Sequence, residues 1–326
     1  MAKLVLNGQV AESQPGETVL TALLRSGISV GHSCRAGSCQ SCLLRATSGI
    51  PDARGQVGLR DTLQQRGYFL ACVTPATADL TLSSAADDGL GGTATVVASA
   101  MISDSVLRLR LRTEQPLPYR AGQFVNIVRD DGLTRSYSLA SVPGLDDALE
   151  LHVRVYSPGR MSSWLASLPV GQTLQLRGPA GDCFYVAGRS EQPLLLVGSG
   201  TGLSPLWGIA RDALRQGHRG RILFLHGGRE LSSLYYVDEL TRLSAAHPTL
   251  EYRPCVLTAQ PDLPDGIVAA PLGEYLKSLL PALTGWRAFL CGDPVLVQAL
   301  RRQIFLAGAR RNDIAADAFV TAPHET

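Results

Sequence analysis

Apolar and polar residues keep three different rhythms along this chain of 326 residues. Near the start they alternate over residues 3–6 and 9–11, on either side of Asn7-Gly8. An Asn-Gly pair between alternating stretches predicts a tight hairpin, because both turn residues must take positive φ. Over residues 18–26 the spacing becomes helical, with Val19, Leu20, Leu23 and Leu24 on one face and Gly27 where a helix commonly stops. Hairpin, helix and a cysteine-bearing loop predict a small α+β unit. The Ser, Ala, Asp and Gly of residues 83–92 offer too little apolar surface to pack and predict a linker.

From residue 93 to 189 the pattern is one of short strands separated by turn residues, among them 106–111, 124–128, 149–155 and 173–176. That predicts an antiparallel barrel. From residue 192 onward, apolar strands at 194–197, 222–225, 252–257 and 288–291 alternate with helical stretches such as 206–216. Such alternation predicts a parallel sheet with helices on its faces. A chain this long exceeds what one core organises. The expected division is 1–88, 93–189 and 190–326, a multidomain α+β and α/β protein.

Composition narrows the class. A net charge of +2 without a basic stretch leaves no nucleic-acid footprint. Neither a secretory apolar core nor a run approaching the roughly 20 residues that span a bilayer is present, so no membrane partner and a cytoplasmic location are expected. Seven cysteines, an odd number, make a disulfide set unattractive.

Four of the seven fall early. Cys34, Cys39, Cys42 and Cys72 give the spacing C-x4-C-x2-C-x29-C, that of plant-type [2Fe-2S] ligands. Three thiolates come from one tightly wrapped loop, and Gly31, Ser33, Ala36, Gly37, Ser38 and Ser41 are small enough to let backbone N–H groups approach the sulfurs. Zinc favours two separated C-x2-4-C pairs, and Cys72 stands alone. The run from Cys34 to Cys42 resembles the C-R-x-G-x-C-G-x-C loop of plant-type ferredoxins, which implies a β-grasp domain; Gln40 replaces the usual Gly.

Arg135-Ser136-Tyr137-Ser138 resembles the R-x-Y-S flavin motif of the ferredoxin-NADP reductase superfamily. A guanidinium suits a phosphate, an aromatic ring covers an isoalloxazine face, and a hydroxyl reaches the edge where hydride arrives. Tyr119 to Phe124 upstream resembles the strand that precedes this motif in the family, and downstream Leu151 to Val155 and then Gly159, Met161, Ser162 and Ser163 resemble the strand and helix start that close on the cofactor pyrophosphate. The serines equally suit N-caps. With Arg135 they favour a two-phosphate cofactor, FAD rather than FMN.

Residues 193–197 run into Gly198-Ser199-Gly200-Thr201-Gly202-Leu203-Ser204-Pro205, similar to the family's G-x-G-T-G-x-x-P nucleotide loop. Near the C-terminus, Cys291-Gly292-Asp293-Pro294 resembles the C-G-x-P turn beside the nicotinamide, and Phe319 the terminal aromatic that shields the flavin. Ser138 and Cys291 are thereby expected at the hydride path. Arg229 stands where the adenosine ribose is expected; Glu230 beside it favours NADH, with NADPH possible.

The order ferredoxin, flavin barrel, nucleotide domain is similar to the reductase components of bacterial multicomponent oxygenases. The resemblance implies an NADH:acceptor oxidoreductase with FAD and [2Fe-2S], monomeric, passing electrons to an oxygenase component. The alternatives are an electron-transfer or redox-sensing subunit without NAD(P)H oxidation, and a zinc-stapled binding module.

Overall fold

The computed structural model describes residues 1–84, 90–259 and 262–320. Residues 85–89 of the expected linker lie outside the described residues. The rest of that expectation is corrected by backbone pairing. Ser83 and Ser84 belong to a strand, and Gly91 and Gly92 open another, where they pair with Arg177 and Leu176.

The first sheet holds β1 (Lys3–Leu6), β2 (Gln9–Glu12), β3 (Leu43–Ser48), β4 (Tyr68–Leu70) and β5 (Leu80–Ser84), in the order β2-β1-β5-β3-β4. Only β1 and β5 run parallel, the mixed arrangement of a β-grasp. Asn7 and Gly8 both take positive φ, which fixes the hairpin. Helix α1 (Val19–Arg25) is capped by the Thr18 hydroxyl and buries Val19, Leu20, Ala22 and Leu23 on the sheet. A short α2 (Asp61–Gln65) precedes β4.

The second sheet is antiparallel throughout. It comprises β6 (Gly91–Ser103), β7 (Val106–Thr113), β8 (Phe124–Val128), β9 (Thr134–Ser138), β10 (Leu149–Arg154) and β11 (Thr173–Ala180), ordered β10-β7-β6-β11-β8-β9. Its two end strands meet at a Leu139–Leu151 bridge, so the sheet rolls into a barrel around Leu109, Leu111, Val125 and Ile127. Helix α3 (Ser162–Ser167) sits beyond β10.

The third sheet is parallel throughout: β12 (Leu194–Ser199), β13 (Ile222–Gly228), β14 (Leu250–Val256), β15 (Val268–Ala269), β16 (Arg287–Gly292) and β17 (Ile314–Ala318), ordered β15-β14-β13-β12-β16-β17. Side chains alternate between its faces. Leu194 and Leu196 pack with α4 (Leu203–Arg215) and α5 (Val237–Ala246), while Leu195 and Val197 pack with α6 (Leu272–Leu279) and α7 (Pro294–Leu306). The strand order reverses direction between β12 and β16, the place where such sheets bind ligands.

Specific bonds join barrel and parallel sheet. Arg211 holds Asp146 with two hydrogen bonds of 3.0 and 2.7 Å, and the Ser204 hydroxyl donates to the Ser138 carbonyl at 3.1 Å. No helix among the described residues is long and apolar enough to cross a membrane.

Candidate functional site

The cysteine loop lies between α1 and β3. Its turn is made by three residues at positive φ, Arg35, Gly37 and Gln40. Gln40 therefore keeps the left-handed backbone that Gly adopts freely, at a cost of about 1 kcal/mol. The loop and the segment after β4 bring the thiols together as two facing pairs, Cys34 with Cys39 and Cys42 with Cys72. The Ala36 N–H donates to Cys34 Sγ at 3.3 Å, the Ser38 hydroxyl donates at 3.4 Å, and the Gly37 N–H reaches the Cys72 sulfur. The Cys34 thiol is drawn down, chiefly by its bond with Cys39 and then by Ser38 and Ala36. Cys72 is lowered by Cys42, its pair partner.

Two thiol pairs supplied with N–H donors suit two irons with two sulfur ligands each. That division matches the four-cysteine ligation of a two-iron cluster.

One cavity of about 1530 Å³ runs from this loop to the edge of the parallel sheet. Cys34 and Cys39 of the loop, Arg135, Ser136, Tyr137 and Ser138 of β9, and Thr201, Asp317 and Phe319 all line it. Tyr137 packs beside the barrel core. Gly159, Met161 and Ser162 also border the cavity. The two serines are engaged within their own turn: the Tyr156 N–H donates to Ser162 Oγ at 3.1 Å, and the exposed Ser163 hydroxyl donates to the Tyr156 carbonyl at 3.2 Å. Their hydroxyls buttress this turn.

The nucleotide loop starts where Gly198 ends the buried run of β12. Gly200 takes φ +54, with the Arg154 guanidinium beside it, and Pro205 occupies the first turn of α4. Gly202 is required by packing: a Cβ there would lie 2.2 Å from the Cys291 carbonyl oxygen. The loop thus rests on the turn where Cys291 and Gly292 end β16. Arg229 is exposed just past β13 and outside the cavity, and the Glu230 carboxylate beside it accepts from the Ser232 hydroxyl at 2.9 Å.

Several residues join the site only through the fold. The Ser138 hydroxyl donates to Asp317 at 3.0 Å, and burial raises the Asp317 carboxyl to about 6. Cys291 is buried 3.7 Å from Cys183, which bonds across from the barrel side; burial pushes the Cys291 thiol well up. His152, on the cavity wall, is held between Glu150 and the Tyr235 hydroxyl, each at 3.0 Å. Alternation along β10 places Arg154 on the same side as His152, the one sequence signal that marks Arg154.

Thiol pairs, a flavin-sized cavity and a nucleotide loop at the switch point define an iron–sulfur flavoprotein. Comparison with known proteins agrees segment by segment. Residues 4–77 match the 2Fe-2S iron-sulfur cluster binding domain, 93–185 the oxidoreductase FAD-binding domain, and 196–302 the oxidoreductase NAD-binding domain. The chain is 36% identical over 311 residues to the aromatic O-demethylase reductase subunit of Amycolatopsis sp., covering 90% of this chain and 91% of that one. It is 30% identical over 320 residues to the ferredoxin–NAD(P)(+) reductase component of the naphthalene 1,2-dioxygenase system of Pseudomonas putida, covering 96% of each. The crystal structure of the Amycolatopsis cytochrome P450 reductase GcoB superposes with a TM-score of 0.70 at 31% identity, over 98% of this chain and 99% of that one. The chain belongs to the family of NAD(P)H-dependent iron–sulfur flavoprotein reductases found as the reductase components of oxygenase systems.

Proposed function

We propose that this reductase passes electrons from NADH through FAD and a [2Fe-2S] cluster to an oxygenase component, acting as a cytoplasmic monomer divided at 1–88, 93–189 and 190–326. The observation that carries this is one cavity lined together by the cysteine loop, the flavin strand and the nucleotide edge. When bound, FAD takes two electrons as hydride and the cluster carries them singly, which matches a two-electron donor to a one-electron acceptor.

Each residue has a task in this reading. Cys34 with Cys39, and Cys42 with Cys72, each grip one iron. Arg135 binds a phosphate, Tyr137 covers the ring face, and Ser136 and Ser138 line its polar edge. Gly159, Met161, Ser162 and Ser163 shape the turn that receives the pyrophosphate. Gly198, Gly200, Thr201, Gly202 and Pro205 form the loop whose N–H groups receive the nicotinamide dinucleotide, with Arg154 as their cation. Cys291 and Gly292 form the floor under the nicotinamide, and Phe319 covers the flavin from the C-terminal side. The oxygenase acceptor follows the named role of the naphthalene dioxygenase relative. Residues 1–88 carry seven Lys or Arg and seven Asp or Glu, so docking is not steered by net charge.

The purified protein is expected to reduce cytochrome c with NADH and to prefer NADH over NADPH by about tenfold or more in kcat/KM, about 1.4 kcal/mol of discrimination. Glu230, oriented by Ser232, repels a 2′-phosphate that Arg229 alone would attract. No turnover with either nucleotide would sink the function, and equal or better kinetics with NADPH would overturn the preference. Arg135→Ala is expected to lower the flavin-to-protein ratio after desalting, because a charge-assisted phosphate contact is lost while β9 keeps its pairing. An undiminished ratio would remove Arg135 from the flavin site.

A further inference from the structure

One buried side chain ties the cysteine loop to the flavin strand. Asn126, on β8 and 3% exposed, makes three hydrogen bonds through its amide. Its Nδ2 donates to the Cys39 carbonyl at 3.1 Å. Its Oδ1 accepts from the Ser41 hydroxyl at 3.1 Å and from the Ser136 hydroxyl at 2.7 Å. The Cys39 carbonyl can only accept, which fixes the nitrogen on that side, and both hydroxyls can donate to the oxygen. Two of these bonds reach residues 85 and 87 positions away in sequence, in the loop that carries the cysteines. The third holds the residue between Arg135 and Tyr137.

The backbone has been shaped to allow this approach. A Cβ on Gly31, just ahead of the cysteine loop, would lie 2.9 Å from the Thr134 hydroxyl of β9. On the opposite side of the contact, a Cβ on Gly132 would lie 3.1 Å from Ser29 Oγ. Small residues therefore let loop and strand close to contact, and Asn126 fixes their register by hydrogen bonds to both.

We infer that Asn126 is a positioning residue that holds the cysteine loop against the flavin strand, and thereby sets the separation across which electrons leave the flavin. The inference rests on the reading of the four cysteines as cluster ligands and of Thr134–Ser138 as the flavin strand. Electron tunnelling falls exponentially with distance, so a loosened contact slows the exit without altering the entrance. Asn126 reaches the cysteine loop through the Cys39 carbonyl and through Ser41, whose hydroxyl oxygen accepts from the Cys39 thiol at 3.3 Å.

The test uses the full-length holoenzyme carrying Asn126→Leu, Ser41→Ala, or both. In Asn126→Leu, FAD content and ferricyanide reduction by NADH should fall less than cytochrome c reduction, since Arg135 and Tyr137 keep their backbone pairing with β8. Cytochrome c reduction should fall severalfold. Amide hydrogen exchange across residues 31–42 should quicken. Ser41→Ala removes one of the three Asn126 bonds together with the contact to the Cys39 sulfur, so it should lower the ratio of cytochrome c to ferricyanide reduction less, and only the part carried by the shared bond should vanish once Asn126 is gone. An unmoved ratio, a parallel fall of both activities with FAD loss, or strictly additive effects would overturn the inference. If Asn126→Leu fails to fold, Asn126→Ala is measured in its place against the same outcomes. A wild-type protein lacking the visible bands of either cofactor would end the underlying reading, whereas normal bands with unmoved cytochrome c reduction would overturn the inference only.

Discussion

Cys72→Ser is expected to remove the cluster's visible bands and to cut cytochrome c reduction by at least about a hundredfold, while NADH still reduces ferricyanide. The fold gives the reason. Cys72 follows β4, is buried in the first hydrophobic core and pairs with Cys42, away from the barrel. Cys34 and Cys39, by contrast, line the shared cavity, so their loss would disturb the flavin side as well. Ferricyanide takes electrons directly from reduced flavin and bypasses the missing exit. Parallel collapse of both activities with FAD still bound would show that the cluster takes part in hydride acceptance or holds the flavin site together.

Asp317→Asn is expected to lower NADH–ferricyanide turnover about a hundredfold and to abolish its acid-side pH dependence. The wild-type carboxyl stands at about 6, raised from 3.8 by burial and drawn back only partly by Ser138. As a carboxylate it accepts the Ser138 hydroxyl and orients it along the cavity wall, so turnover should rise with pH through about 6 and then level. Stability runs the other way. Between the ordinary value and about 6 the native state holds a proton that the unfolded chain has released, so stability falls as pH rises through that window. The neutral amide introduced by Asp317→Asn carries no such penalty, and the variant's thermal midpoint should exceed wild type at pH 7 and equal it near pH 3. Superimposable pH–rate profiles for the two proteins would overturn this role for Asp317.

Much of the architecture was legible because its signals are local. Asn7 and Gly8 sit at positive φ, Thr18 caps α1 with Gly27 just past its end, and Leu194 to Val197 alternate between two faces as a buried parallel strand does. Other elements carried no such signal. The Ala-rich β17 has little strand propensity of its own and exists because β16 pairs with it. Gly91 and Gly92 read as linker for the same reason, until β11 supplies their partners.

The site divides along the same line. The sequence by itself determined the cysteine spacing, the flavin tetrapeptide and the glycine loop, because each is a contiguous stretch whose residue types follow from the group it wraps. Only the tertiary structure decided that Ser138 meets Asp317 across 179 residues, that Cys183 faces Cys291, and that Asn126 bridges the cysteine loop to β9. No periodicity marks those partners, since a hydrogen bond needs only two groups within about 3 Å and constrains nothing in the chain between them.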